Sequence, residues 1–295
     1  ANAGVAKNNA YSLYPAGVSI DADTLSNNLG TTNVALTNTQ GDLTVAGPVA
    51  WNSDRALTLT SQKGNVDLQQ TLSASANASL NVNAADKIRI NDAVKLTGRN
   101  AHLELNSKNG HTLTNDAAVT LSGDNASFRS NGEDYKVLHN MADLRNVDAN
   151  LGGRYVIGNA IDGANTSFRS IGGSGTFTGV FDGLGNTIGN LAISSSDPYA
   201  GLFGRNTGTI ANLKLNALRV NAAAGVGPVA IGGLVGENAG RISNVTATGM
   251  QVTAGANRSN ALGGLVGINL GEVSGASATG NVPGNGMSYA VRRLV

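Results

Sequence analysis

The stretch Gly201-Leu202-Phe203-Gly204-Arg205-Asn206-Thr207-Gly208-Thr209-Ile210 is the first of three similar copies in this chain of 295 residues. The second copy covers 233–242 and starts 32 residues after the first, and the third covers 264–273 and starts 31 residues after the second. A period of this length indicates a repeat architecture in which each unit stacks on the next. The repeat therefore predicts a fold class built of stacked, similar units.

The positions that persist between copies are the glycines and one asparagine. We predict short strands joined by turns, with Gly204, Gly236 and Gly267 where the chain bends, because glycine takes positive φ freely and lets backbones approach closely. The persisting asparagines should stack and hydrogen-bond from one coil to the next. The predicted turn glycines are Gly201, Gly204, Gly208, Gly233, Gly236, Gly240, Gly264, Gly267 and Gly271. The predicted ladder asparagines are Asn206, Asn238 and Asn269, with Asn212 and Asn244 in a second ladder that Gly275 interrupts.

The first part of the chain has a shorter period, of about 23 residues. Alternating apolar segments occur at 34–36, 57–59, 80–82 and 103–105. A second series at 43–45, 66–68 and 88–90 has nearly the same step. Two interleaved series with one period predict coils of two or three strands each, with alternate residues facing inward. We therefore predict an all-β protein, a right-handed parallel β-helix, or solenoid.

The pattern divides the chain into three segments. We predict coils of about 23 residues over 1–128, an irregular joint over 129–181, and coils of 31–32 residues over 182–295. Apolar residues at roughly helical intervals predict a short helix near residues 133–148. We also expect the chain to be a piece of a longer polypeptide.

Composition and charge argue against several partners. The net charge is +1, and the 20 Lys and Arg residues are scattered, so we expect no nucleic-acid partner. No apolar run is long enough to span a bilayer, and we expect no membrane insertion. The chain has no cysteine, which removes disulfides and thiolate chemistry. That absence fits either compositional chance or export in an unfolded state.

The glycine-rich repeat and two upstream segments resemble known protein families. The pattern Gly-Leu-[Phe/Val]-Gly-x-Asn-x-Gly-x-[Ile/Val] resembles the GLUG motif of large bacterial surface proteins. Upstream, 25–34 and 51–59 resemble filamentous-haemagglutinin-type exoproteins of two-partner (type V) secretion. The resemblance implies a secreted, surface-located protein of adhesion, biofilm formation and virulence. It also implies an outer-membrane pore-type secretion partner and contacts with a host or matrix protein or with a glycan.

Several alternatives to adhesion stay open. One is a haem- or haemopexin-type carrier-binding exoprotein, with Ala222–Val229 and Ala254–Ala261 as candidate protruding loops. Another is the stalk of a contact-dependent toxin. The least favoured is a β-helical polysaccharide-active enzyme, which needs converging carboxylates.

The sequence offers little to such an enzyme. The only suggestive acids are Asp21, Asp23, Asp162 and Asp182. Asp182 precedes a glycine, a position where Asp commonly caps a turn. The three histidines lie apart from any nucleophile motif. We therefore expect no catalytic residues, no cofactor and no metal site.

Overall fold

A computed structural model describes residues 3–5, 10–13, 19–222, 230–254 and 261–282, with side chains from residue 21 onward. The chain forms two compact units, Ala1–Val137 and Leu138–Val295. Each unit is built from parallel strands in stacked sheets, so the predicted all-β parallel β-helix is confirmed. The boundary between the units falls inside the predicted joint segment 129–181.

The first unit contains one helix and seventeen strands among its described residues. The helix is α1 (Ala22–Leu29). The strands are β1 (Ala3–Val5), β2 (Ala10–Leu13), β3 (Ser19–Ile20), β4 (Val34–Asn38), β5 (Leu43–Val45), β6 (Val49–Trp51), β7 (Ala56–Ser61), β8 (Val66–Leu68), β9 (Leu72–Ala74), β10 (Ser79–Ala84), β11 (Ile88–Ile90), β12 (Val94–Leu96), β13 (His102–Ser107), β14 (His111–Leu113), β15 (Val119–Leu121), β16 (Ser127–Ser130) and β17 (Glu133–Leu138), whose last residue opens the second unit.

These strands form three sheets, and each full coil passes through all three in turn. Sheet A contains β1, β2, β4, β7, β10, β13, β16 and β17 in spatial order, with the two end strands antiparallel. Sheet B contains β3, β5, β8, β11 and β14, and sheet C contains β6, β9, β12 and β15. In sheet A, Val34, Leu57, Leu80 and Leu103 are successive register partners, 23 residues apart. All four are buried, so the predicted period is the coil length. The predicted segments at 34–36 and 43–45, with their repeats, are strands of sheets A and B, whereas the strands of sheet C were not predicted.

Helix α1 occupies the place where the first coil would contribute a strand to sheet C. The Asp21 carboxylate caps it by accepting the backbone N–H groups of Asp23 (3.0 Å) and Thr24 (3.3 Å). Leu25 and Leu29, four residues apart, are its buried residues. The helix packs against β6, and the backbone N–H of Ala50 donates to Ser26 Oγ at 3.1 Å.

The first unit ends in an antiparallel hairpin, β16–β17, in which Phe128 is the register partner of Tyr135. The two rings are packed edge to face at 5.1 Å. Asn131 and Gly132 form the turn at φ +49° and +83°. The hairpin departs from the parallel order of the preceding coils, and it lies where the 23-residue period lapses.

The second unit begins with a short helix and continues as longer coils. The helix α2 (Met141–Arg145) is followed by a 3₁₀ turn, Asn146–Ala149, and Asn140 caps it by accepting the N–H of Asp143 at 2.9 Å. The predicted helix near 133–148 is therefore present, but it starts at Met141 because 133–138 form a strand. The strands are β18 (Arg154–Ile157), β19 (Ile161–Phe168), β20 (Val180–Asp182), β21 (Thr187–Ser195), β22 (Tyr199–Ala200), β23 (Phe203–Asn206), β24 (Thr209–Asn216), β25 (Arg219–Ala222), β26 (Ala230–Gly232), β27 (Val235–Asn238), β28 (Arg241–Thr253), β29 (Ala261–Gly263), β30 (Val266–Asn269) and β31 (Glu272–Asn281).

Their pairing follows the GLUG-like repeat. Sheet D stacks β20, β24, β28 and β31, sheet E stacks β23, β27 and β30, and sheet F stacks β22, β26 and β29, all in parallel. Rings of Phe177, Phe181 and Phe203 fill the core, with Phe203 5.1 Å and 5.2 Å from the other two. Burial of these apolar side chains is the main stabilising term. Among the described residues, no helix is long and apolar enough to cross a membrane.

Candidate functional site

The stacked asparagines of the repeat form a continuous internal ladder. Asn206 Nδ2 donates to Asn238 Oδ1 at 2.9 Å, and Asn238 Nδ2 donates to Asn269 Oδ1 at 2.9 Å. Each Oδ1 also accepts the backbone N–H of the glycine two residues later, and those glycines are Gly208, Gly240 and Gly271. Asn206 and Asn238 are fully buried. Each asparagine therefore closes its own turn and holds the neighbouring coil in register.

A second column lies where β24 and β28 bend. Asn212 Nδ2 donates to Asp182 Oδ1 at 3.1 Å, and Asn244 Nδ2 donates to Asn212 Oδ1 at 2.9 Å. Asn212 and Asn244 have φ of +54° and +52°, and Gly275 in the third copy has φ +57°. The position requires the left-handed conformation, which asparagine and glycine tolerate best. Gly275 thus keeps the backbone shape but supplies no amide to continue the side-chain ladder.

The glycines of the repeat are of two kinds. Gly201, Gly233 and Gly264 lie at bends before β23, β27 and β30, and Gly208, Gly240 and Gly271 lie at bends after them. The prediction that Gly204, Gly236 and Gly267 also lie at bends is wrong, because all three are inside strands. They are required by close packing. A Cβ on Gly236, for example, would lie 2.7 Å from the backbone nitrogen of Ala200 and 2.8 Å from the carbonyl oxygen of Gly204.

In the first unit, polar side chains at the turns between strands also form ladders from coil to coil, which were not predicted. Asp54 Oδ1 accepts the backbone N–H of Asn77, and Asn77 Oδ1 accepts that of Asn100, both at 2.9 Å. The spacing of 23 residues between these three side chains was the available signal. On the outer face of sheet A, Asn106 Nδ2 donates to Asn83 Oδ1 at 2.9 Å. Polar side chains therefore link successive coils on the outside as well as at the corners.

The suggestive acids take part in structural hydrogen bonds. Asp162 Oδ1 accepts hydrogen bonds from the backbone N–H of Ala164 (2.9 Å) and from Asn190 Nδ2 (3.1 Å). Both bonds lower the pKa of Asp162, and the bond from Ala164 has the larger effect. Asp182 Oδ1 accepts the N–H of Leu184 at 2.9 Å, which is the turn role predicted for it. Asp23 lies exposed in the first turn of α1, beside the capping Asp21. Within the described ranges, no three His, Cys, Asp or Glu side chains lie close enough to hold a metal ion.

A charged cluster in the second unit was also missed. Arg205 Nε donates to Glu237 Oε1 at 2.7 Å, and the two residues are register partners in sheet E. Tyr199 hydrogen-bonds Glu237; burial, followed by the Glu237 carboxylate, raises the pKa of Tyr199, and Arg205 partly opposes this. Glu237 is buried. The Arg and Glu occupy the variable position between Gly and Asn of the repeat, so one copy alone does not reveal the pair.

Part of the second unit matches a known sequence family. Residues 227–253 match the GLUG motif, a span that includes the second copy of the repeat. No curated protein and no solved structure matches the chain. The motif is consistent with a repeat of a surface or secreted exoprotein. The loops considered for carrier binding, Ala222–Val229 and Ala254–Ala261, lie outside the described residues apart from Ala222, Ala254 and Ala261.

Asp67 in sheet B is a buried carboxylate on the outward side of its strand. Its Oδ1 has no hydrogen-bond partner and lies 3.6 Å from Arg89 Nε. Burial raises the pKa of Asp67, the Asp42 carboxylate raises it further, and the Arg89 guanidinium partly opposes the shift. A carboxyl whose pKa is raised by folding binds its proton more tightly in the folded state. Its contribution to stability therefore falls as pH rises through its ordinary value, near 4, toward the raised one.

Asp67→Asn should therefore stabilise the protein by about 1 kcal/mol near neutral pH, because it removes an unsatisfied buried charge and loses only a weak ion pair. The gain should shrink at acid pH, where Asp67 is already protonated. Urea denaturation at the two pH values measures this, with Asp124→Asn as the exposed control. A destabilised Asp67→Asn protein at neutral pH would show that the Arg89 contact outweighs burial.

Proposed function

We propose that this chain is a non-catalytic structural and adhesive segment of a secreted bacterial surface exoprotein. Its stacked coils would present outward sheet faces for contacts with cells, matrix proteins or glycans. Export through an outer-membrane pore-type partner belongs to the same proposal. The observation that carries it is the GLUG match within a parallel coil stack, since the motif is consistent with surface or secreted proteins.

The outer face of sheet A supports this proposal. Its outward side chains include Thr58, Thr60, Asn81 and Asn83, which are hydrogen-bonded from coil to coil, with Asn83 Nδ2 3.3 Å from Thr60 Oγ1. Side chains fixed in this way lose little conformational entropy when a partner binds. Repetition of equivalent groups on successive coils also permits several weak contacts at once.

The hydrogen bonds of the acids support a non-catalytic role. Asp21, Asp162 and Asp182 each accept local backbone N–H groups, a pattern typical of capping and turn carboxylates. A glycan-active enzyme would need two carboxyl groups facing one substrate.

The test is an array of glycans and matrix proteins probed with the purified protein, run beside assays for sugar release from the same glycans. We expect saturable binding to at least one glycan or matrix protein without product release. Release of shortened sugars would contradict the non-catalytic role. Binding only to haem-loaded carrier proteins would favour the carrier-binding alternative, and absence of any binding would favour a plain stalk.

A further inference from the structure

A trough crosses the outer face of sheet C in the first unit. Its volume is about 490 Å³, within the usual range for small-ligand sites. The outward residues Ala50, Ser73 and Lys95 are consecutive register partners on β6, β9 and β12. At the usual strand spacing they span about 10 Å along the stacking direction. Helix α1 contributes Ser26 to the lining, next to β6.

The trough is lined by apolar side chains, hydroxyl groups and one positive charge. Ala50, Trp51 and Ala74 are the apolar side chains of the lining, and its hydroxyl groups come from Ser26, Ser73, Ser75 and Thr97. Lys95 is the only charged residue that lines the trough, and its exposed side chain makes no ion pair with any described residue. An exposed ammonium group beside hydroxyls complements an anionic group on a polar ligand.

We infer that this trough binds an acidic oligosaccharide, with a uronate carboxylate on Lys95 and sugar hydroxyls on the serine and threonine side chains. The small side chain of Ala50 leaves room in the trough for the carbon–hydrogen face of a sugar ring. The open, elongated shape fits a short stretch of a linear glycan. This inference rests on the proposed adhesive function and specifies one ligand class and one place for it.

Helix α1 borders the trough on the side of the first coil. Because a helix replaces the sheet C strand of the first coil, the outward column of sheet C ends at β6 and α1 lies beside it. The N–H of Ala50 donates to Ser26 Oγ at 3.1 Å, which fixes the helix against the sheet. The Ser26 hydroxyl proton remains able to donate to a ligand.

The experiment titrates the whole chain with tri-galacturonate and with neutral trigalactose as probes, by calorimetry and by NMR. We expect the acidic sugar to bind more tightly than the neutral one and to weaken at high salt. Lys95→Gln should lower the affinity for tri-galacturonate about tenfold, the loss of one charge-assisted hydrogen bond. Lys63→Gln, which changes an exposed lysine in a turn away from the trough, should bind normally.

A pair of steric variants locates the site. Ala50→Phe should abolish binding by filling the trough, whereas Thr120→Phe, at the next position of the same outward column beyond Lys95, should leave it intact. Equal binding of the acidic and neutral sugars, or unchanged binding by Lys95→Gln and Ala50→Phe, would overturn the inference. If the intact protein binds targets on the glycan and matrix array but both variants keep their affinity for tri-galacturonate, the adhesive function is supported and the trough is rejected as the site. Failure of the intact protein on the array as well would reject both.

Discussion

Replacing Asn238 by alanine should lower the free energy of unfolding by about 3 kcal/mol. Asn238 is fully buried at the centre of the internal ladder and bonds Asn206, Asn269 and the backbone N–H of Gly240. Alanine would remove all of these partners at once and leave buried amide groups without their full set of hydrogen bonds. Urea denaturation followed by circular dichroism measures the change.

Asn221→Ala is the matched control for this prediction. Asn221 lies in the same unit and accepts a hydrogen bond from Thr253 Oγ1 in the next coil at 3.1 Å, but this bond is exposed. Its loss should cost less than about 0.5 kcal/mol. A cost for Asn238→Ala no larger than that for Asn221→Ala would show that the internal ladder does not hold the coils together.

Gly240→Ala should be still more damaging, with a loss of at least about 4 kcal/mol or no folded protein. A Cβ on Gly240 would lie 2.2 Å from the carbonyl oxygen of Gly208 and 2.6 Å from the carbonyl carbon of Thr207. Both contacts are backbone atoms of the preceding coil, so the coils would have to separate. That separation would break two backbone hydrogen bonds between the coils. The Gly240 N–H donates to the carbonyl oxygen of Asn206, and the Arg241 N–H donates to the carbonyl oxygen of Gly208.

The same substitution at Gly152 provides the comparison. A Cβ there would meet nothing closer than Thr178 Oγ1, at 3.4 Å, which is an ordinary contact. Gly152→Ala should therefore leave stability within about 1 kcal/mol, or raise it slightly by restricting the unfolded chain. Similar thermal stabilities for the Gly152 and Gly240 variants would contradict the close stacking at Gly240.

Much of the fold followed from period and alternation. The strands of sheet A have inward residues such as Leu57 and Leu80 at a constant interval, so their pairing could be predicted without knowledge of the turns. Sheet C was missed because its inward residues include Trp51 and Ala74, whereas the strands of sheet B repeat aliphatic residues such as Val66 and Leu68. Helix α1 was missed because only Leu25 and Leu29 mark its buried side, too few to establish a helical period.

The candidate sites divide in the same way. The Asn206 ladder could be expected from the repeat, since identical residues at a fixed period must stack. The trough could not, because its lining follows no repeated residue: Ser26, Ala50, Ser73 and Lys95 are of three residue types and come from four different coils. The middle glycines were placed wrongly for a physical reason. Bends and close backbone packing both select glycine, and only the neighbouring coil distinguishes them.

We propose that this chain attaches a cell surface to glycans or matrix proteins. Displaying residues 1–295 on a non-adherent bacterium tests this adhesion. Attached cells would be counted on surfaces coated with the glycans or matrix proteins that bind the purified protein. We expect many more attached cells than for bacteria without the chain, and the purified soluble protein should reduce that number by competition. Attachment no greater than background, from cells whose displayed chain resists proteolysis as a folded protein does, would contradict the claim.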